Sequence, residues 1–226
     1  MGQAQSGQAV SSLSLNLRYE DQTDFDGILN QLREAENVEE IELEWTSGVG
    51  EQDNENICKI IKKILIKPKL NKITYDIGGR DVDDFNGMEI DGEFPQNLTV
   101  KKLDITVTDF TSWTWQQLLL ATPNVEEIDI LAFDDFVELP QLVRNVKVLK
   151  KLKIINVVIN AGCYDDPVPN ASQEERAVAL EETRKVLKDE LPISIKASVK
   201  ELMDPSPNAD VQILIEKEAN EEPRLI

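Results

Sequence analysis

The sequence predicts an α/β solenoid in which short parallel strands and helices alternate as stacked repeats. The first observation is a six-residue pattern (apolar, two polar, apolar, any, apolar) that recurs every 24–32 residues, an interval typical of repeat architectures. The second is helical spacing of apolar residues between the copies. The clearest copies are Val38–Leu43, Leu70–Tyr75, Val100–Ile105, Val125–Ile130 and Leu149–Ile154.

The end of each copy alternates apolar and polar residues, which predicts a short, half-buried strand. A weaker first copy is Leu15-Asn-Leu17. With the second apolar residue of each copy as the equivalent position, six strands are expected. The predicted equivalent residues are Leu15, Ile41, Ile73, Leu103, Ile128 and Leu152.

Helices are predicted where apolar residues recur at i, i+3, i+4 and i+7. These residues fall into three groups: Phe25, Ile28, Leu29 and Leu32; Ile57, Ile60, Ile61 and Ile64; Trp115, Leu118 and Leu119. Strands joined by helical crossovers run parallel, and such crossovers are right-handed. The prediction is therefore a parallel sheet of about six short strands with helices on its convex side.

Three segments are predicted along the chain. Residues 1–12 are rich in Gln, Ser, Gly and Ala and are expected to be a disordered tail. Residues 13–160 hold the repeats. Residues 161–226 are predicted to form a C-terminal α/β cap of one long helix and two strands, followed by an acidic tail; a small separate module is the alternative. The two strands are expected at Ile193–Val199 and Val211–Ile215.

The repeated pattern resembles the leucine-rich repeat family, in the longer strand-helix form of ribonuclease-inhibitor-like and F-box-associated proteins, over residues 13–160. The resemblance implies a protein-binding solenoid with strands lining its concave face. The family places Asn or Cys three residues after the pattern, and here no such residue occurs; the sequence also contains no F-box. The repeats are therefore divergent, or form a solenoid of another family. The residues at these positions are Thr46, Gly78, Thr108, Phe133 and Val157.

The formal net charge of −19, from 24 Lys and Arg against 43 Asp and Glu, bears on the kind of partner. Nucleic-acid binders carry basic stripes, so nucleic acid is disfavoured. A basic or amphipathic protein or peptide is favoured, because an acidic surface attracts it. Solubility alone is the alternative explanation of the charge. No apolar run is long enough to predict a transmembrane segment.

The predicted partner-binding residues are polar or aromatic residues of the strands that point away from the expected core. Aromatic residues are included because they often anchor protein interfaces. Ordinary outward-facing strand residues are the alternative interpretation. The candidates are Tyr19, Glu42, Glu44, Trp45, Asp76, Asp104 and Asp129.

The sequence gives little support for catalysis or cofactor binding. It has no histidine, which excludes imidazole-based triads and histidine-ligated zinc sites. No glycine-rich phosphate loop is recognisable. The segment Asp81–Glu93 partly matches a calcium-binding loop but has Val82 at the first ligand position, so an acidic loop is the preferred interpretation. We therefore predict no enzyme activity, catalytic residue, cofactor or metal.

The N-terminal residues raise a second functional hypothesis. Gly2 and Ser6 match the N-myristoylation pattern, which would make the chain a membrane-associated adaptor. A single acyl chain binds membranes only marginally, and no polybasic patch follows. The start of the chain does not resemble a secretory signal, and two distant cysteines indicate no disulfide framework. A cytoplasmic location is therefore expected.

Overall fold

The computed structural model describes one eight-stranded sheet flanked by helices. The described residues are 11–18, 24–46, 54–77, 93–107, 112–133, 139–160, 173–192, 194–202 and 210–213.

The strands follow one another across the sheet in chain order, from β1 to β8. The first seven are parallel, and β8 pairs antiparallel with β7. The α/β class and the parallel sheet predicted from the sequence are thus confirmed. The strands are β1 (Ser12–Arg18), β2 (Glu40–Thr46), β3 (Lys72–Ile77), β4 (Lys102–Val107), β5 (Glu127–Phe133), β6 (Ile154–Asn160), β7 (Lys196–Leu202) and β8 (Asp210–Ile213).

Five α-helices lie between strands in the described part of the chain. They are α1 (Phe25–Glu34), α2 (Asn54–Leu65), α3 (Ser112–Ala121), α4 (Leu139–Asn145) and α5 (Gln173–Lys185). A 3-10 turn extends α4, and a π-helical turn extends α5. None of the helices in the described ranges is both long and apolar enough to cross a bilayer.

The core lies on one side of the sheet, where buried strand residues and buried helix residues form a single cluster. Helix α1 shows how the sequence produces this arrangement. Its N-cap Asp24 accepts a hydrogen bond from the Gly27 N–H at 2.8 Å, and its apolar stripe buries Ile28 and Leu32. The helix therefore begins at a defined residue and presents one apolar face to the sheet.

Two columns of apolar residues run across the strands and form the sheet side of this core. Every member is buried except Leu13, which is partly exposed. The first column is Leu13, Ile41, Ile73, Leu103, Ile128, Ile155 and Ala197, and the second is Leu15, Leu43, Tyr75, Ile105, Ile130, Val157 and Val199.

The register corrects the predicted equivalent residues at both ends of the repeats. Ile41 pairs with Leu13, not with Leu15, and Ile128 pairs with Ile155. Leu152 is buried in the turn before β6 instead of in the strand. The last copy of the pattern therefore marks a turn and the start of a strand that begins at Ile154.

The C-terminal segment extends the same sheet. Strand β7 pairs with β6 in parallel, with Ile154 opposite Lys196, so the sheet has seven parallel strands where about six were expected. Strand β7 starts three residues later than the predicted start at Ile193, because the Ile195 N–H donates to the Pro192 carbonyl in a turn. On the helical layer, the Arg144 guanidinium lies 2.6 Å from a Glu182 carboxylate oxygen and links α4 to α5.

A buried asparagine fixes the turn before β4. The Asn97 Nδ2 donates to the carbonyls of Leu65 and Lys67, each at 2.9 Å. Its Oδ1 accepts from the backbone N–H groups of Thr99 at 2.8 Å and Val100 at 3.2 Å. One side chain thus satisfies four backbone groups of two neighbouring turns. The sequence analysis did not identify Asn97, because the family pattern places an asparagine after the strand instead of before it.

Candidate functional site

The side of the sheet opposite the core is polar and is called the open face here. It is formed by the strand residues that alternate with the two buried columns. Its middle column is Ser14, Glu42, Thr74, Asp104, Asp129, Asn156 and Ser198. The columns on either side begin with Ser12, Glu40, Lys72, Lys102 and Glu127, and with Asn16, Glu44, Asp76, Thr106 and Leu131.

Five of the predicted partner-binding residues lie on the open face. Glu42, Asp104 and Asp129 occupy the middle column, on β2, β4 and β5. Glu44 and Asp76 are paired in register in the next column. All five are exposed or half-buried. The fold therefore brings these carboxylates onto one surface.

The other predicted residues are placed differently. Trp45 is in register with Leu17 and Ile77, at a position of the same parity as the buried columns, and its side chain lies outside the described residues. Tyr19 and Gly2 also lie outside the described residues.

Most of the candidate calcium-binding segment, residues 81–92, lies outside the described residues as well. In the part of the chain that the structure describes, no group of three or more potential acidic or thiol ligands could hold a metal ion.

Two lysines neutralise part of the open face. The Lys102 Nζ lies 2.5 Å from Asp129 Oδ2, 2.6 Å from Glu127 Oε1 and 3.4 Å from Asp104 Oδ1. The Lys72 Nζ lies 2.5 Å from Asp104 Oδ2. These five residues form a lysine-carboxylate cluster across β3, β4 and β5.

Hydrogen bonds extend the lysine-carboxylate cluster to β7. The Asn156 Nδ2 donates to Asp129 Oδ1 at 2.7 Å, and the Ser198 hydroxyl donates to Asn156 Oδ1 at 2.6 Å. Each strand from β3 to β7 thus contributes at least one polar side chain to a connected network on the open face. The half-buried apolar residues beside this network are not part of it. Networks of this kind fix side-chain positions on both partners of each contact.

The electrostatics of the cluster favour the charged form of both central groups. Partial burial acts against the charge of Lys102, but the hydrogen bonds to Asp129 and Glu127 outweigh it and raise the pKa of the ammonium group. Partial burial likewise opposes ionisation of Asp129. The hydrogen bonds from Lys102 and Asn156 are stronger in sum and lower the pKa of the Asp129 carboxyl.

The acidic residues of β2 and β3 lack such neutralisation. The side-chain carboxylates of Glu40, Glu42 and Asp76 make no hydrogen bond or ion pair with any described residue. Glu44 Oε2 accepts a hydrogen bond of 2.5 Å from the neutral Asn16 amide. These four carboxylates, Glu40, Glu42, Glu44 and Asp76, are called the acidic patch. The open face therefore divides into an acidic patch without ion pairs among the described residues and a cluster in which two lysines offset most of the charge of three carboxylates.

Lys72 and Lys102 were not among the predicted site residues, although the sequence carries a signal for them. Each lies two residues before a middle-column residue, Thr74 or Asp104, so strand alternation puts it on the same face. The predicted site residues lie within or after the apolar pair of each strand, whereas these two lysines precede it.

Replacing Lys102 with methionine is expected to lower the free energy of unfolding at pH 7 by about 1–2 kcal/mol, because three carboxylates lose a partly buried counter-ion. The folded-state pKa of Asp129 is lowered, so its stabilisation is present above the unfolded pKa of about 3.9 and is lost at lower pH. The deficit of the variant should therefore shrink as the pH falls below about 4. Urea unfolding of the variant and of the unchanged chain, at pH 7 and at acid pH, measures this deficit.

The control variant for this experiment is Lys59→Met. The Lys59 Nζ lies 2.8 Å from Glu55 Oε1 within one exposed turn of α2. Exposed pairs of this kind contribute about 0.3–0.5 kcal/mol, so the control should change stability little. Equal losses in the two variants, or a Lys102→Met deficit that is independent of pH, would contradict the assigned role of the cluster.

Comparison with known proteins found no relative of the chain. The chain matches no protein-family model, no curated protein and no solved structure.

Proposed function

We propose that the chain is a leucine-rich-repeat-like solenoid protein and a non-enzymatic interaction module. In this proposal the acidic patch binds a basic or amphipathic segment of another protein. The observation that carries the proposal is the division of the open face. Four carboxylates on β2 and β3 lack an ion pair among the described residues, whereas the three on β4 and β5 are ion-paired with Lys72 and Lys102.

The order of the strands supports the solenoid part of the proposal. Each parallel strand pairs with its neighbours in the chain, and the buried columns repeat from strand to strand. In such an arrangement each unit contacts mainly adjacent units, and the sheet offers an extended binding surface. The open face spans seven strands, which suits an elongated segment better than a small molecule.

The spacing of the acidic patch defines the chemistry of the partner. Glu40, Glu42 and Glu44 are alternate residues of one strand, so their Cα atoms are separated by about 6.6–6.8 Å per step. Asp76 lies beside Glu44 across one strand spacing of about 4.8 Å. Lysine or arginine residues at alternate positions of an extended segment match these distances. Arginine would add bidentate contacts to single carboxylates.

The same face offers an apolar contact further along the sheet. Leu131 on β5 and Val158 on β6 are half-buried and follow Glu44, Asp76 and Thr106 in one column. A partner whose basic part runs along β2 and whose next part turns across the strands at Glu44 would place apolar side chains on Leu131 and Val158. This arrangement favours an amphipathic partner over one that is basic throughout.

The proposal predicts that the double charge reversal Glu42→Lys and Glu44→Lys weakens binding of a fluorescent peptide with alternating arginine and valine by at least tenfold, which corresponds to about 1.4 kcal/mol. The physical reason is that two attractive contacts become repulsive while the sheet stays intact. Fluorescence anisotropy at physiological salt measures affinity, and thermal unfolding should show an almost unchanged midpoint. Neither glutamate has an ionic partner among the described residues.

The matched control is Glu34→Lys with Glu174→Lys, which changes the net charge equally at exposed helix positions away from the open face. It should weaken binding only slightly. Equal weakening by both double variants would show attraction by overall charge alone and would reject the acidic patch as the site. Asp129 is unsuitable for this test, because its reversal would break the contacts with Lys102 and Asn156.

A further inference from the structure

We propose that strand β1 pairs antiparallel with β1 of a second copy of the chain, which joins two sheets into one across a twofold axis. The interaction surface is the edge of the sheet formed by Ser12–Arg18. It is separate from the acidic patch, which lies on the open face of β2 and β3.

The edge of β1 presents hydrogen-bonding groups that β2 does not use. Among the described residues, only β2 pairs with β1. The Glu40 N–H donates to the Ser11 carbonyl at 3.0 Å, so the backbone groups of Ser11 point towards β2. Because these directions alternate in a parallel pair, the groups of Leu13, Leu15 and Leu17 also point to β2. Those of Ser12, Ser14 and Asn16 point outwards.

The sequence of β1 is complementary to itself in the antiparallel direction. Centring the pair on Leu15 places Ser14 opposite Asn16 of the partner strand, as a hydrogen-bonded pair. It places Leu13 opposite Leu17, and Leu15 opposite Leu15. Small polar residues thus meet on the open face and leucines meet on the core side. A twofold axis normal to the sheet keeps both faces continuous between the copies.

The apolar side chains at this end of the sheet are incompletely covered. Leu13, Phe25 and Leu29 pack against the core but remain partly exposed in the described structure. All three belong to β1 or α1, the first elements of the stack. At the other end of the parallel sheet, β8 pairs with the Val199–Leu202 part of β7. The β1 end therefore carries both apolar surface and backbone groups that no described strand pairs with.

The low charge of β1 favours a second copy of the chain as the partner that pairs with this edge. Exposed edge strands are commonly protected from pairing by charged residues or proline; β1 contains no proline, and its one charged residue is the terminal Arg18. In a chain of net charge −19, this edge is a surface on which two copies can meet without opposed carboxylates on the pairing strands. The remaining charges repel each other, so association should strengthen as salt screens them.

Sedimentation velocity of the 226-residue chain over a range of concentrations, at low and high salt, tests the proposal. The expected result is a monomer–dimer equilibrium that shifts to dimer at high salt. Ser14→Pro should abolish the dimer, since it removes an outward N–H and leaves the bonds to β2 in place. Ser14→Thr retains that N–H and should dimerise. The double variant Ser14→Glu and Asn16→Glu, which opposes like charges across the axis, should be monomeric even if the proline variant unfolds.

Three results would overturn the proposal. One is a monomer at every concentration and salt. Another is a dimer that persists in the proline and double-glutamate variants, which would place the interface elsewhere. The third is a monomer that dimerises only after residues 1–10 are removed, because the edge would then be filled by the chain's own N-terminal segment.

Discussion

Replacing Trp115 with alanine is expected to lower the free energy of unfolding by about 3–5 kcal/mol. The indole is 2% exposed in the core between the sheet and the helical layer. Its Nε1 donates to the Leu142 carbonyl at 2.8 Å. Leu142 belongs to α4, so this bond joins α3 to α4. The variant therefore loses a large apolar contact and also a buried hydrogen bond between two helices.

Urea unfolding followed by circular dichroism measures this loss, and Trp115→Phe separates its two causes. Phenylalanine keeps most of the buried area but cannot donate to Leu142, so its deficit should be smaller, about 1–3 kcal/mol. A deficit below 1 kcal/mol for Trp115→Ala would contradict the packing of α3 against α4 described above.

The pairing of the central strands could be predicted from the sequence, because only one register buries their apolar residues and leaves their charged residues exposed. In Val38–Leu43 and Val125–Ile130, two charged residues separate the first apolar residue from the alternating pair. A shift by one residue would bury those charges, so burial and alternation agree on one arrangement. The observed register from β2 to β5 follows the predicted equivalent residues.

The two ends of the repeats could not be fixed in this way. In β1, leucine occupies every second position from Leu13 to Leu17, so a shift of the pairing by two residues would again bury leucines. In the last copy, Leu149 and Leu152 are buried in the turn, and the longer apolar strand from Ile154 to Ile159 determines the pairing. Local pattern is therefore insufficient where several registers bury equally well.

The acidic surface was predictable in part. Alternation placed Glu42, Glu44, Asp76, Asp104 and Asp129 on one face, as the register shows. Which carboxylates are neutralised depends on contacts between different strands, such as Lys72 with Asp104, and these follow only from the pairing. The same limit explains why the pattern did not identify Asn97, because the two carbonyls to which it donates lie about 30 residues earlier in the chain.

Asn97→Ala is expected to lower the free energy of unfolding by about 3–5 kcal/mol, although it removes only a small side chain. The carbonyls of Leu65 and Lys67 lose a shared donor, and the N–H groups of Thr99 and Val100 lose their acceptor. An unsatisfied buried polar group costs about 1–3 kcal/mol, and local relaxation recovers part of the sum. In a chain of this size each kcal/mol lowers the thermal midpoint by about 2–4 °C.

Asn124→Ala provides the matched comparison, because the two asparagines occupy turns before successive strands and differ in the number of bonds they make. Among the described residues, the Asn124 Nδ2 makes a single hydrogen bond of 2.8 Å, to the carbonyl of the exposed Leu98. Water can replace that bond, so its loss should cost less than about 1 kcal/mol. Calorimetry or urea unfolding of both variants measures the difference. Similar small losses in the two would mean that the turn before β4 is held by its apolar residues and not by the Asn97 amide.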